Sequence, residues 1–356
     1  GNHYVMVAAR AGTGFLASQY VGEVGWSVEI KRVLMAFGTY LWFRGLVMLI
    51  IFLVGGHHLY HWTHHELFEK FLEDGKTPNP EYDKIIAGKA GYLNPTFFVI
   101  RIVAYYAIWY GMSMYMRNQS KMEDLDGSIA RHKKLVRYSA AFLVLFAVTS
   151  STSAWDFIMS IDTHWYSTLF GWYCFSGLFV TGLAATILTT VYLKKQGYLE
   201  NVNENHLHDL GTFLLAISCL WTYLWFAQFM LIWYANIPEE ITYFMARFTH
   251  YRGIFLSTVF INFFIPFFVL VKRNAKRKTG ILVFVSFVVL IGHWMDFYIM
   301  IMPGTVGEHW HIGIPEIGIT LGFIGVFIFL VTRALAEIPL VPQKHPMLEE
   351  SLHHHI

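Results

Sequence analysis

Apolar stretches long enough to cross a lipid bilayer recur along this chain of 356 residues. A helix of about 20 apolar residues spans the hydrocarbon core of a membrane. Only 14% of the residues are charged, whereas soluble domains usually carry about 25%. The sequence therefore predicts an all-α polytopic membrane protein. We predict nine spans, at residues 4–21, 33–54, 95–116, 137–160, 166–193, 209–235, 254–272, 280–302 and 313–335.

The first of these spans is the least regular, because Arg10 and several glycines interrupt it. The chain also begins with Gly1 rather than with methionine, and no secretory signal is visible. We therefore expect further residues upstream, including a tenth helix. That helix would place both ends of the chain on one side of the membrane, and without it Gly1 lies on the outer side.

The distribution of Lys and Arg predicts the orientation, since positive charge marks the cytoplasmic side. Lys and Arg are concentrated in the C-terminal tail and in the connections 22–32, 117–137, 194–208 and 272–279. They are sparse in the connections 55–94, 161–165, 236–253 and 303–312. The first set, together with the C-terminus, is therefore predicted to be cytoplasmic.

Two segments resemble each other and indicate an internal duplication. They are AWDFIMSIDTHW at 154–165 and WMDFYIMIMPGTVGEHW at 294–310, which share an Asp-Phe pair and a His-Trp pair. Each lies at the outer end of the third helix in a run of four. The predicted architecture is two four-helix bundles with one or two extra N-terminal helices. The units are 1–32 (first span and connection), 33–193 (first bundle, with external loop 55–94), 209–335 (second bundle) and 336–356 (tail).

A carboxylate lies within the fourth predicted span, where it costs several kcal/mol unless it is protonated, paired or hydrated. Thr149, Thr152, Ser153, Asp156 and Ser160 recur at helical spacing and therefore share one face. Such a stripe is what a proton path needs. The alternative is that the hydroxyls bond to their own helix and that Asp156 lies among lipid headgroups.

The second copy repeats this situation with Asp296, and His293 lies three residues before it on the same face. An imidazole beside a carboxylate can pass a proton near neutral pH. The alternative is a static hydrogen-bonded pair that joins two helices. Both interpretations stay open at the level of sequence.

The outer connections carry further titratable residues beside interfacial tryptophans. Loop capping or subunit contacts are the expected roles, and a site for a quinol headgroup is the sharper alternative, because quinol oxidation needs an acid–base group beside an apolar cleft. The candidates are Asp162, His164, Glu308 and His309.

A single side-chain amide, Gln228, lies in the span 209–235 among several tryptophans. Amides inside membrane bundles usually bond across helices. We expect the same of Gln228.

No set of ligands for a redox group is visible in this chain. The two cysteines form no CxxC motif, and only one predicted span contains a histidine, whereas a b-type haem needs histidines on facing helices. Histidines also recur in the segment GGHHLYHWTHHELFEKF at 55–71, which is typical of an amphipathic interfacial helix, with a metal site as the alternative. We predict no cofactor, no metal site and no catalytic residue in this chain.

Four segments resemble the F subunits of bacterial alternative complex III, a quinol:electron-acceptor (cytochrome c) oxidoreductase, within the NrfD-like (polysulfide-reductase) membrane family. They are DKIIAGKAGYLN (83–94), TSSTSAWDFIMSIDTHWYSTLFGWY (149–173), HDLGTFLLAISCLWTYLWFAQFMLIWYANIPEE (208–240) and GHWMDFYIMIMPGTVG (292–307). The resemblance implies a ten-helix fold, a bacterial inner membrane and a suspected proton path at Asp156, His293 and Asp296.

The same resemblance implies partners and places the cofactors in them. The partners would be an NrfD-like sister subunit that binds quinol, an iron–sulfur subunit, c-type haem subunits, small membrane subunits and, in some bacteria, a haem–copper oxidase in a supercomplex. The leading hypothesis is a cofactor-free respiratory subunit with a partial proton path. The alternatives are a free-standing secondary transporter, which internal repeats also fit, and a subunit that itself binds quinol.

Overall fold

The computed structural model describes residues 2–72 and 76–355, except for the side chains of residues 2–4, 6 and 7, and these residues are mostly helical. The predicted outer placement of Gly1 concerns a residue outside this part of the chain. Nine long helical segments follow one another: α1 (Asn2–Val21), α2 (Val28–Leu59), α3 (Pro95–Asp126), α4 (Ile129–Phe157), α5 (Leu169–Lys195), α6 (Glu204–Ala235), α7 (Arg252–Leu270), α8 (Thr279–Val306) and α9 (Ile314–Ala336).

Eight of these segments, α2 to α9, are long and apolar enough to cross a membrane. The prediction of an all-α polytopic membrane protein is therefore confirmed. The predicted first span, 4–21, is also a helix of suitable length, but it is not among the eight. Its Arg10 and polar residues are accommodated by the protein, because α1 packs against α2, α4, α5 and α9.

Local sequence signals explain how α3 and α4 form a hairpin. Asn94 accepts a hydrogen bond from Phe97 N–H at 2.8 Å and caps α3, whose first residue is Pro95. Gly127, with φ of +62°, ends α3, and Ser128 caps α4 by accepting from Arg131 N–H. This hairpin brings the first turns of α3 beside the last turns of α4.

The centre of the bundle is formed by α5, which contacts α1, α4, α6 and α8. Small residues allow α5 to approach α1 closely: a Cβ atom on Gly182 would lie 2.1 Å from the Cβ of Ala11. Close packing through small residues is typical of membrane helices, which gain no hydrophobic energy by leaving lipid. Because α5 belongs to the predicted first bundle, its contacts with α6 and α8 form a seam between the two predicted halves.

The C-terminal tail lies across the end of the bundle that is predicted to be cytoplasmic. Ser351 Oγ donates to the carbonyl of Trp26 at 2.9 Å, and Asn203 Nδ2 donates to that of His354 at 3.0 Å. Arg117 Nη2 and Glu337 Oε2 form an ion pair at 2.9 Å. These contacts place the tail on the same side as the connections after α1 and α5.

The opposite end carries a helix that was not predicted, Pro238–His250, in the connection 236–253. It is amphipathic and begins with proline at its first turn. The tryptophans of the two repeated motifs hold its ends: Trp165 Nε1 donates to the carbonyl of Glu240 at 3.1 Å, and Trp310 Nε1 donates to that of His250 at 2.8 Å.

The histidine-rich segment 55–71 differs from its prediction. Its first residues continue α2 to Leu59, and the rest forms two short 3-10 turns, His61–Thr63 and His65–Phe68, rather than an amphipathic α-helix. Trp62 is buried against Phe98. This packing, rather than the helical spacing of the histidines, determines the conformation of the segment.

Candidate functional site: two buried aspartates

Asp156 and Asp296 are both fully buried within the chain. They occupy the same place in the two repeated motifs: Asp156 lies one residue before the C-terminal end of α4, and Asp296 lies ten residues before that of α8. An ionised carboxylate at such a position needs a charged partner or several hydrogen bonds. The partners of the two aspartates are of different kinds.

Asp156 is held by an arginine. Arg101 Nε lies 2.8 Å from Asp156 Oδ2, and the Tyr105 hydroxyl donates to the same oxygen at 2.7 Å. The guanidinium also donates to the carbonyl of Tyr92 at 3.0 Å and lies 4.0 Å from the centre of its ring. Burial raises the pKa of the Tyr92 hydroxyl, and the neighbouring Asp156 carboxylate raises it further. Asp156 is therefore one half of a buried ion pair supported from α3.

The predicted hydroxyl stripe on α4 is present, but its hydroxyls donate to their own helix. Thr149 donates to the carbonyl of Leu145, Thr152 to that of Val148 and Ser153 to that of Ser150. This agrees with the alternative interpretation of the hydroxyls, and Asp156 itself is buried within the protein.

The stripe also receives hydrogen bonds from other helices. Arg10 Nη1 donates to Ser153 Oγ at 3.0 Å, and Trp109 Nε1 donates to Thr149 Oγ1 at 2.9 Å. The guanidinium of Arg10 lies 4.3 Å from the centre of the Trp109 ring. The hydroxyls therefore connect α1, α3 and α4 into one polar layer.

Asp296 is held by neutral donors from two other helices. The Tyr173 hydroxyl on α5 donates to Asp296 Oδ1, and Trp221 Nε1 on α6 donates to Oδ2 at 3.1 Å. His293 Nδ1 lies 3.8 Å from Oδ2. The site thus lies at the seam between the predicted halves, and the basic group beside the carboxylate is an imidazole rather than a guanidinium.

The structure brings the predicted pair His293 and Asp296 together, and it adds a third buried polar residue. Asn262 lies in a π-helical turn, Phe260–Phe264, within α7. A Cβ on Gly292 would lie 2.1 Å from Asn262 Oδ1, so glycine is required there for this approach. Among the described residues, neither ring nitrogen of His293 and neither amide atom of Asn262 has a hydrogen-bond partner. π-Helical turns occur frequently at functional sites.

A cavity adjoins Asp296 on the side of the amphipathic helix. Its volume is ≈ 10 Å³, which is about the space that one water molecule occupies. Trp225 Nε1 and Gln228 Nε2 line it as donors without a partner in the described part of the chain. The expected cross-helix bond through Gln228 Nε2 is therefore not formed. Tyr243 also lines the cavity, and burial raises its pKa to about 12, so its hydroxyl stays protonated.

The outer candidates have partners outside their own group. His164 Nε2 lies 2.5 Å from Asp83 Oδ2, and His250 Nδ1 lies 3.7 Å from Glu308 Oε2. Asp162 is half-buried, with its carbonyl accepting from Trp165 N–H at 3.1 Å. His309 is exposed. These contacts lie within the connecting loops, and the expected roles in loop capping or subunit contacts stay predictions.

The pKa of the Asp83 carboxyl reflects its partners. Burial alone would raise this pKa, but the hydrogen bonds from His164 and from the backbone N–H groups of Ile86 and Ile85 lower it, and the net direction is downward. Asp83 also caps the short helix Lys84–Gly88. The pair therefore ties the external loop to the connection after α4.

Most partners of the two aspartates were not predicted. Arg101 lies 55 positions from Asp156, and Tyr173 lies 123 positions from Asp296. Arg101 was visible only as a charge within a predicted span, which is itself a signal of a buried partner. Nothing in the local sequence distinguishes Tyr173 or Asn262 from other residues of apolar helices.

The fold and the site define an all-α multi-span membrane protein with two buried acidic sites. No protein-family model and no curated protein matches this chain.

Proposed function

We propose that this chain is an integral membrane subunit of a respiratory quinol:electron-acceptor oxidoreductase of the alternative complex III type, and that it conducts protons through Asp296. The observation that carries the proton-path proposal is the contrast between the two aspartates. The assignment to a respiratory complex rests on the resemblance of the four sequence segments.

Asp296 is suited to exchange protons because its partners among the described residues are neutral hydroxyl and indole donors and a nearby imidazole. Protonation of this carboxyl breaks no ion pair with arginine or lysine among the described residues. His293 lies close enough to accept or return the proton after a small shift, since 3.8 Å exceeds hydrogen-bond distance by less than 1 Å.

Polar groups extend from Asp296 toward both sides of the membrane. Toward the predicted cytoplasmic side lie His293, Asn262 and Ser286, whose hydroxyl is buried and has no partner in the described part of the chain. Ser286 and His293 are seven residues apart on α8, about 10 Å along the axis, so bridging waters are required. Toward the outer side lie the cavity and Tyr243.

Asp156 takes a structural role in this proposal. The ion pair opposes protonation of Asp156, because a neutral Asp156 would leave the buried Arg101 charge uncompensated. The hydroxyls of Thr149, Thr152 and Ser153 hold the polar layer around it.

The redox chemistry belongs to the partners in this proposal. Quinol would be oxidised on the NrfD-like sister subunit, and electrons would pass to iron–sulfur and c-type haem subunits. This chain would bind those subunits and lipids in a bacterial inner membrane, with its C-terminus in the cytoplasm.

Purification in a mild detergent tests the assignment to a complex. A tagged chain expressed in its native host should co-purify with haem absorbance and quinol-oxidising activity. A chain that is purified alone, without haem, would contradict the assignment and favour a free-standing transporter.

Proton release during quinol oxidation by proteoliposomes tests the path. Asp296→Asn should lower the ratio of protons moved to electrons transferred, with assembly retained. Tyr243→Phe serves as a milder variant on the same route. An unchanged ratio in Asp296→Asn would remove the proton path and leave a scaffold.

A further inference from the structure

Three potential metal ligands meet where the C-terminal tail docks on the bundle. They are Glu123 near the end of α3, His132 in the first turns of α4 and His345 in the tail. One ligand atom from each lies within 4.8 Å of the other two, and all three residues are buried. None of these three residues belongs to the two aspartate sites.

The first two residues are already oriented as metal ligands are. His132 Nδ1 lies 3.0 Å from Glu123 Oε1, and this bond fixes the imidazole. His132 Nε2 and Glu123 Oε2 have no hydrogen-bond partner among the described residues. His132 Nδ1 and Glu123 Oε1 are close enough for one metal ion to bind both in place of this hydrogen bond.

His345 is the ligand that the C-terminal tail supplies, and it is buried. A metal ion binds the neutral form of an imidazole. His345 Nδ1 accepts from Met347 N–H at 3.2 Å, and coordination through this ring would replace that hydrogen bond.

Lys31 occupies the position of a competing cation. Its Nζ lies 3.5 Å from Glu123 Oε2 and 4.2 Å from the centre of the Tyr20 ring, without a hydrogen bond among the described residues. A cavity of ≈ 20 Å³ adjoins Lys31, His132 and His345, so the ammonium has room to move.

We propose that Glu123, His132 and His345 form a binding site for a divalent transition-metal ion such as Zn²⁺, which cross-links α3, α4 and the C-terminal tail. Two nitrogen ligands and one oxygen ligand are a donor set that zinc takes. Ligand atoms at about 2.1 Å from one ion are at most about 4.2 Å apart. Side-chain rotations that move each ligand atom by less than about 1 Å would therefore complete the site. The metal and the Lys31 ammonium are alternative partners of Glu123.

The test is a titration of the full chain with Co²⁺ in detergent after chelator treatment, followed by visible absorption. One Co²⁺ should bind with the spectrum of low coordination number, and Zn²⁺ should displace it. The double variant His132→Gln/His345→Gln should lose this spectrum. Lys31→Met should bind Co²⁺ at least about tenfold more tightly, because the competing charge is removed.

The controls separate this site from the other histidines of the chain. The double variant retains the histidines of 55–71, so any adventitious binding persists in it. His353→Gln, at an exposed position of the tail, should leave the affinity unchanged. Equal Co²⁺ binding by the wild type and the double variant would overturn the proposal, as would weaker binding by Lys31→Met. The result is independent of quinol chemistry and of proton movement.

Discussion

The two repeated motifs place an aspartate at the same position, yet the surroundings of the two side chains differ. Asp156 is bound by Arg101 and Tyr105, both from α3, the neighbouring helix of the same hairpin. Asp296 is bound by Tyr173 from α5 and Trp221 from α6, across the seam of the predicted halves. The duplicated sequence supplies a buried acid twice, and the tertiary partners decide whether that acid is fixed or free to exchange protons.

The largest effect that separates the two sites is expected from Arg101→Met. This change leaves the Asp156 carboxylate buried without its cation, which costs about 3–5 kcal/mol. We expect a loss of this size in the free energy of unfolding, measured by denaturant titration in detergent. The double variant Arg101→Met/Asp156→Asn should recover most of it, because neither charge is then left alone. Equal losses in the single and double variants would show that packing of Arg101, rather than charge, is responsible.

Removal of a donor from Asp296 should have a smaller effect. Trp221→Phe deletes the indole N–H that donates to Oδ2, and leaving an acceptor less satisfied costs about 1–3 kcal/mol. Trp225→Phe is the matched control, since its Nε1 has no partner among the described residues. In detergent, the midpoint of thermal unfolding of the control should lie close to that of the wild type. A loss in Trp225→Phe as large as in Trp221→Phe would contradict this description of the site.

The tryptophans of the two motifs provide a third comparison. Trp165 is buried and stacks on Tyr243 with ring centres 4.1 Å apart, whereas Trp310 is half-buried and stacks on Tyr251 at 5.1 Å. Trp165→Phe should therefore cost about 1 kcal/mol through its hydrogen bond to Glu240, and Trp310→Phe should cost less. Hydrogen exchange in the Pro238–His250 helix would measure both losses of stability. A larger loss in Trp310→Phe than in Trp165→Phe would refute the comparison.

The smallest effect is expected at the outer loop of the first half. The pKa of Asp83 is held below its ordinary value, so its contribution to stability is fully present above the unfolded pKa near 3.8 and disappears as pH falls through the folded pKa. Because His164 is half exposed, that contribution is at most about 1 kcal/mol. His164→Gln should lower the free energy of unfolding by at most about 1 kcal/mol at neutral pH, and its difference from the wild type should shrink as pH falls through the folded pKa of Asp83. A variant that is as stable as the wild type at neutral pH would show that the pair has no energetic role.

Much of the fold was predictable because bilayer thickness sets the length of each apolar run. The prediction 280–302 corresponds to Thr279–Val306, and 166–193 to Leu169–Lys195. The prediction 95–116 ends ten residues before α3 does, since α3 continues as a polar helix beyond the apolar run. The length of an apolar run therefore indicates the thickness of the membrane and not the full length of the helix.

The candidate sites were predictable only in part. An acid within a span stands out in sequence because charge is rare there, and this signal singled out Asp156 and Asp296, both of which are buried in the structure. The identity of their partners depends on which helices pack together, which no local pattern encodes. The π-helical turn at Asn262 and the helix Pro238–His250 were missed for the same reason, since tertiary contacts determine both.

Infrared difference spectroscopy of the reconstituted protein tests the contrast between the two aspartates most directly. A carboxyl C=O stretching band that changes with pH or turnover should be present in the wild type, absent in Asp296→Asn and retained in a variant that replaces Asp156 together with Arg101. A band that survives Asp296→Asn and disappears with Asp156 would contradict the assignment of the exchangeable proton to Asp296.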